Sequence, residues 1–328
     1  GGGMVEILVL GELADGGLEP VTGELLAAAR GLGGEVGVAL PDTGIDGEPG
    51  EAFALGADIV YMLQDPLLAG PSIDARVVAF EHVCRQTTPR VVLVGRTGPG
   101  RDIGPRLAFR LGVGLAQDCT EVRLDPDTDR LVATRPVYGG NAVATVTFAD
   151  AAPQLAVIRG RAYDPLTPDP SRKGEVVSVT PRLDPSVVKV RHVQTVLQER
   201  AGVRLEDANV VIAGGRGLGG LEPFAKLEEL AGMLGGAVGA SRAACDAGWF
   251  NHSRQVGLTG VTVTPDLYIT VGISGASQHM AGCSGAKHIV AVNRDPDANI
   301  FKEAKYGVVG DWKKILPAFM ETVRELVG

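Results

Sequence analysis

Short apolar runs recur along the chain, separated by longer stretches with one polar face. Glu6 to Leu10, Val36 to Leu40, Ile59 to Leu63 and Val91 to Gly95 read as buried strands. Glu24 to Gly31 and Ile73 to Thr87, lying between them, read as helices. Strands that alternate with helices predict a parallel sheet covered on both faces. The pattern then changes. Asp118 to Leu124, Leu131 to Val137 and Ala142 to Phe148 follow closely on one another, separated by Asp-Pro-Asp-Thr-Asp and Tyr-Gly-Gly-Asn. Turn residues between short strands predict an antiparallel meander.

From Tyr163 to Pro185 the chain is rich in proline and charge, with Val176 to Val179 and Val187 to Val193 as further strand candidates. An α/β pattern then restarts. Asn209 to Ala213, Gly236 to Ala240, Leu267 to Val271 and His288 to Val292 read as strands, and Leu221 to Leu234 as a helix. Asp311 is expected to cap a last helix, in which Pro317 sits early enough to kink it. The expected organisation is an α/β chain of two domains, each with a mainly parallel sheet covered by helices, the first with the added meander. Residues 4–193 form the first domain, 194–206 a linker and 207–328 the second.

With 328 residues the chain is long for one core, and its 46 glycines suit tight strand-to-helix turns. A formal net charge of -8 argues against a nucleic-acid footprint. No apolar stretch reaches membrane-spanning length, and no basic-then-apolar signal stands at the start, so a cytoplasmic location is expected. Cys84, Cys119, Cys245 and Cys283 are scattered without a CxxC pair, and the five histidines show no ligand spacing. Neither zinc nor iron–sulfur ligation is expected, and a reducing compartment is.

The candidate chemistry lies in the second half. In Val271-Gly-Ile-Ser-Gly-Ala-Ser-Gln-His279 a strand runs into a glycine-bearing turn. Gly272 and Gly275 free the backbone there, and amides at a helix start attract phosphate. Ser274, Ser277 and Gln278 add neutral hydrogen bonds, and His279 adds a group that titrates near neutral pH. Gly214-Gly-Arg-Gly-Leu-Gly-Gly220 also follows a strand, and its Arg216 can pair with phosphate. A lone glycine loop of this kind is weak evidence for a dinucleotide site. Ser241 and Arg242 open a loop that runs to Trp249, and Gln255-Val-Gly-Leu-Thr-Gly260 is a further glycine turn carrying a hydroxyl. Asn293 and Asp311 end two more strands, where α/β sheets bind ligands. Taken singly, each reads equally as a tight turn, a surface arginine, a hairpin, a helix cap or a structural histidine. Five polar-plus-glycine turns at strand ends of one domain point to a ligand crevice.

These motifs closely resemble the α subunit of electron-transfer flavoproteins. The resemblance runs through Gly215-Arg-Gly, Ser241-Arg-Ala-Ala, Gln255-Val-Gly-Leu-Thr-Gly, Gly272-Ile-Ser-Gly-Ala-Ser-Gln-His, Asn293-Arg-Asp-Pro and Tyr306-Gly-Val-Val-Gly-Asp. In the first half it extends to Gly100-Arg-Asp-Ile-Gly-Pro-Arg-Leu-Ala and Leu115-Ala-Gln-Asp-Cys-Thr. It implies a Rossmann-like or flavodoxin-like second domain that binds FAD, and a first domain that contacts a β subunit in a heterodimer. It implies electron transfer from flavin dehydrogenases, such as the acyl-CoA dehydrogenases of fatty acid oxidation, to a quinone-linked oxidoreductase, and no catalytic residue of the chain's own.

By that resemblance Arg216, Ser241, Ser274 and Gln278 surround the pyrophosphate and ribityl chain, and Gly215, Gly217, Gly272, Gly275, Ala276 and Ser277 also belong to the cofactor site. Asn293 and Asp311 fall on the adenosine side, and Trp312 is a further cofactor-site residue. Gln255, Val256, Gly257 and Leu258 carry Thr259 toward flavin N5; His279 approaches O2 and Arg242 the ring edge. A protonated His279 and the Arg242 cation would stabilise the negative charge that reduction places along the N1–O2 edge.

Two departures stand out. Val261 follows Gly260 where many members have lysine. Arg135-Pro-Val-Tyr-Gly-Gly-Asn141 is similar to the form of some bacterial members, of which some bifurcate electrons from NADH using a second FAD held by the β subunit. An NAD-dependent transferase or deacylase on a similar domain would need a nucleophile or base beside the nicotinamide ribose, and the sequence offers no such constellation.

Overall fold

The computed structural model describes residues 5–14, 17–42, 48–138, 142–149, 152–190, 193 and 203–327. Backbone contacts divide the chain into two compact units, residues 1–137 with 143–196 and residues 138–142 with 197–328. The expected linker 194–206 lies outside the described residues as far as residue 202, as do the glycines of the Tyr-Gly-Gly-Asn turn.

The first unit begins with β1 (Ile7–Leu10), the short pair β2 (Leu13–Ala14) and β3 (Gly17–Leu18), and helix α1 (Pro20–Leu32). β4 (Val36–Pro41), α2 (Glu48–Ala54), β5 (Ile59–Leu63), α3 (Ile73–Thr87), β6 (Val91–Gly95) and α4 (Gly98–Leu111) continue the alternation. β7 (Leu115–Cys119), β8 (Glu121–Leu124), β9 (Leu131–Val137), β10 (Ala142–Thr147), β11 (Gln154–Ile158) and β12 (Glu175–Val179) complete it.

Seven strands form one sheet in the order β12-β5-β4-β1-β6-β11-β7, and every neighbouring pair in it is parallel. Alternate side chains along a strand face opposite ways, so Ile7 and Val9 of β1 join the core under α1 while Leu8 and Leu10 join the core under α3 and α4. Both faces are therefore apolar, as continuous Val/Ile/Leu runs require.

The expected meander is the separate sheet β10-β9-β8, with β8 and β9 antiparallel. Its first strand needs correction. Asp118–Leu124 spans the last two residues of the main-sheet strand β7 and the whole of β8, with a break at Thr120; Asp118 takes a left-handed φ of 61° where the pairing of β7 with β11 is irregular. Val187–Val193 forms no strand over its described residues. Asp184 instead accepts a hydrogen bond from the Ser186 amide and opens a single 3₁₀ turn at Pro185–Val187.

The second unit holds β13 (Val210–Gly214), α5 (Phe224–Met233), β14 (Ala237–Ser241), α6 (Arg242–Asp246), β15 (Gln255–Val256) and β16 (Leu267–Val271). It ends with α7 (Ser277–Met280), β17 (His288–Asn293), α8 (Ile300–Glu303), β18 (Tyr306–Val309) and α9 (Trp312–Val327). Its six-stranded sheet has the order β15-β14-β13-β16-β17-β18, and all five pairings are parallel.

One core packs Ile212, Ile269 and Val271 against Phe224, Leu227 and Leu230 of α5 and Leu316, Met320 and Val323 of α9. The other face buries Val211, Ala213 and Tyr268 against Met280, Cys283 and Ile300. Asp311 caps α9 as expected, its carboxylate accepting from the Lys313 amide at 3.0 Å. The helix continues through Pro317.

Candidate functional site

The chain leaves β13 for β14 and β15 on one side, then crosses back to β16 and β17 on the other. The strand order thus reverses between β13 and β16, and loops leaving a sheet at such a point diverge and open a crevice beyond the carboxyl ends of the strands. Here those loops are Gly214–Gly219 and Gly272–Ala276. Two hydrogen bonds join them at the base, Gly215 N to Val271 O at 2.9 Å and Gly217 N to Gly272 O at 3.0 Å. A β-carbon on Gly215 would stand 2.2 Å from the Gly272 oxygen, and Gly272 holds a φ of 68°. Glycine is required at both positions, and the crevice floor between them is backbone.

Three more bonds extend this stitching along the sheet edge: Gly272 N to Val292 O at 2.9 Å, Ile300 N to Ser274 O at 3.0 Å and Gly310 N to Asn293 O at 2.9 Å. Arg216, Ser274, Ala276, Ser277 and Gln278 are exposed around the floor, and Gly275 is buried. Arg216 has no ion-pair partner among the described residues, and Ser241 does not cap α6 with its hydroxyl. Phosphate attraction by a helix dipole is the weaker part of the expectation, since α7 is only 4 residues long. What the site offers an anion is loop amides and side chains.

A second group converges through the Gln255–Gly260 turn. The turn is not a hairpin, since β15 pairs parallel to β14. Leu258 N donates to Gln278 O at 2.7 Å, which ties the turn to α7 and brings Thr259 and His279 into one neighbourhood. Gln255 is buried, as are Val256 and Gly257, while Leu258 and Thr259 are exposed. Gln255 Nε2 donates to the Thr259 hydroxyl at 3.0 Å, and Gln255 Oε1 lies 3.2 Å from His252 Nδ1. The Thr259 oxygen is used as an acceptor, so its own proton is left to donate elsewhere.

His279 is buried, and its Nε2 lies 2.9 Å from the Tyr268 hydroxyl. Its Nδ1 is buried with no hydrogen-bond partner. Burial pushes the imidazole pKa down to about 4, with the backbone of Val256 opposing the shift although no bond of normal geometry reaches Nδ1. The ring is therefore neutral near pH 7. This corrects the expectation of a protonated His279. Burial also holds the Tyr268 phenol well above its ordinary pKa, so it keeps its proton.

Arg242 stands at the start of α6, exposed, and makes only a loose pair with Asp246 at 3.3 Å. Such a pair is weak and leaves the guanidinium free to swing. Asn293 is more committed. Its amide donates to Ile273 O at 2.9 Å and its Oδ1 accepts from Asp295 N at 3.0 Å, so it braces the Gly272–Ala276 loop. Trp312 is half-buried, with Lys313 Nζ 5.9 Å from its ring centroid. Sequence reasoning missed Tyr268, which it took as one more member of an apolar strand. A phenol in an aliphatic run was the available signal, because a buried hydroxyl needs a partner.

Among the described residues no group of three or more metal-ligating side chains is found. No helix there is long and apolar enough to cross a membrane. All four cysteines are free and buried.

The chain matches the electron transfer flavoprotein domain over residues 7–183 and the electron transfer flavoprotein FAD-binding domain over residues 204–284. The second match takes in both glycine loops, Thr259 and His279, and ends before Asn293. The chain is similar to the electron transfer flavoprotein subunit alpha of Thermoanaerobacterium thermosaccharolyticum, with 40% identity over 98% of each chain. It is similar also to the subunit alpha of Megasphaera elsdenii, 42% identical over 98% of this chain and 97% of that one. The Bacillus subtilis subunit alpha is 41% identical over 98% of both.

Proposed function

Because the chain belongs to the electron transfer flavoprotein α-subunit family, we propose that it carries electrons, as a heterodimer with a β subunit, from flavin dehydrogenases of the acyl-CoA dehydrogenase type to a quinone-linked acceptor. Its cofactor is FAD. The isoalloxazine ring supplies the redox chemistry. The chain's own residues hold the cofactor, exclude water and set the charge and proton positions around it.

One observation carries this reading: a glycine floor too close for a β-carbon and a buried imidazole nitrogen without a partner belong to the same sheet switch point. The floor fits a pyrophosphate, which needs amides and close backbone approach. The nitrogen fits a ring with acceptor atoms, since a buried unpaired polar group otherwise costs stability. Gly215, Gly217, Gly272, Gly275, Ser241, Ser274, Ser277 and Gln278 would hold the phosphates and sugar chain, with Arg216 as their counter-charge. Thr259, His279 and Arg242 would face the ring, and Asn293, Asp311 and Trp312 the adenosine end.

The first test is the visible spectrum of the heterodimer purified with its β subunit. A blue-absorbing flavin in this crevice is expected, and a nicotinamide there would overturn the reading. Stopped-flow mixing then separates donors. Rapid reduction by a reduced acyl-CoA dehydrogenase is expected, with none by NADH.

Two substitutions probe the ring-facing groups. Arg242→Ala removes a mobile cation, and a fall of about 60 mV in a one-electron potential is expected, the equivalent of a tenfold change in population. A potential that rises would place the guanidinium away from the ring. Gln255→Glu replaces the donor behind Thr259 with an acceptor. The Thr259 proton should then turn inward, with FAD retained and the potential lowered, as a redox titration would report. An unchanged potential would separate Thr259 from the ring.

A further inference from the structure

We propose that Tyr268 is a positioning residue, its hydroxyl holding His279 in the neutral tautomer with the proton on Nδ1, so that the ring presents a donor and no charge to the cofactor. The inference rests on the FAD reading and adds to it a residue deep in the core and the placement of one proton.

The geometry begins with the 2.9 Å contact between Tyr268 Oη and His279 Nε2. Tyr268 is the second residue of β16 and is completely buried, so water cannot serve its hydroxyl. A neutral imidazole has one donor and one acceptor nitrogen. If Nε2 accepts from Tyr268, the proton must sit on Nδ1. If Nε2 instead donates, the phenol proton needs another acceptor. Cys283 is the other side chain that interacts with the hydroxyl. A neutral thiol is a weak acceptor, and a hydrogen bond from Tyr268 to Cys283 favours chiefly the thiolate, which burial suppresses by pushing the Cys283 pKa up to about 12. The imidazole nitrogen is much the better acceptor, so the phenol proton goes to Nε2. Burial keeps both groups neutral near pH 7, which leaves exactly one ring proton to place. Val256, in the turn that carries Thr259, has a backbone that favours a proton on the ring. Nδ1 makes no hydrogen bond of normal geometry, so its proton is open to a better-placed acceptor than the Val256 backbone.

The test is ¹⁵N NMR of the FAD-loaded heterodimer with labelled histidine. Ring nitrogens with and without a proton resonate far apart, and His279→Gln identifies the signals by their loss. The wild-type protein is expected to show His279 with Nδ1 protonated and Nε2 bare. Tyr268→Phe keeps the ring and its packing. It should bind FAD to the same extent, show both tautomers of His279, and have its reduced-to-oxidised ratio at a fixed potential fall about threefold to tenfold. Cys283→Ala should leave the wild-type tautomer intact.

A wild-type His279 with its proton on Nε2, or a Tyr268→Phe spectrum identical to wild type, overturns the proposal. Should Tyr268→Phe not fold, the wild-type spectrum alone decides. A heterodimer without flavin that still shows the Nδ1 proton would instead sink the FAD reading and leave the tautomer standing.

Discussion

Gly215→Ala is expected to strip the protein of FAD while leaving both cores of its second unit in place. Gly215 has an ordinary extended backbone, φ -108° and ψ 179°, so alanine meets no conformational strain there. Its β-carbon would lie 2.2 Å from the Gly272 oxygen and 2.6 Å from the Gly272 carbonyl carbon, both main-chain atoms with no flexible end to swing aside. The loops leaving β13 and β16 must separate by about 1 Å to reach ordinary contact. That opening breaks the bonds from Gly215 N and Gly217 N, each contributing about 1 kcal/mol, and removes the floor on which the pyrophosphate would rest.

A stability loss of about 2 to 4 kcal/mol and about a hundredfold weaker FAD binding are expected. Gly219→Ala is the matched control. Gly219 holds a φ of 84°, but open space surrounds its missing β-carbon. It should lose about 1 kcal/mol from left-handed strain and keep its FAD. Flavin content after gel filtration and urea midpoints measure both. A Gly215→Ala heterodimer that retains full flavin would mean that the close approach of the loops does not build the site.

The alternation of strand and helix was plain in the sequence because buried parallel strands must be apolar on both faces. Ile59–Leu63, Ile73–Thr87, Val91–Gly95 and Leu267–Val271 have in the structure the bounds that their patterns predict. Helix α4 was hidden by its composition. Gly98-Pro-Gly opens it and Pro105 lies inside it, so a reading by breaker residues sees a loop; Thr97 caps its start by accepting from the Gly100 amide. Strand β11 (Gln154–Ile158) was hidden by its place, since it follows the antiparallel meander yet returns to the main sheet between β6 and β7.

Within the crevice the sequence indicated which turns gather but not how they are held. The bond from Asn293 to Ile273 and the pairing of Gln255 with Thr259 join residues through side chains whose direction no spacing reveals. The charge state of His279 was the chief misreading. A histidine after Ser-Gln looks like an available cation until the fold shows how thoroughly it is buried.

That burial leads to the second large effect, a loss of stability on mild acidification that belongs to one side chain. His279 has an ordinary value of 6.5 and a folded value of about 4, chiefly through desolvation. A base whose folded pKa is depressed binds its proton more readily when unfolded. Its contribution is therefore complete above about pH 6.5, falls as the pH drops through the window, and is gone below about pH 4. The size is about 3 kcal/mol at 1.36 kcal/mol per pH unit.

Glu12 and Glu24, raised by burial in the first unit, act in the opposite sense, so the measurement must be a difference. His279→Gln removes only the histidine's titration. Urea unfolding of both proteins without FAD should show the wild type losing about 3 kcal/mol relative to His279→Gln between pH 7 and pH 4. A constant difference would mean that the folded ring takes up its proton as readily as the unfolded one, so that burial does not depress its pKa.

The same neutrality bounds the redox effect. A neutral donor contributes one hydrogen bond, so His279→Ala should lower the population of the reduced cofactor about tenfold, with FAD still bound. A much larger fall would mean that the ring carries a proton on both nitrogens when FAD is bound. The two measurements test one proton from opposite sides.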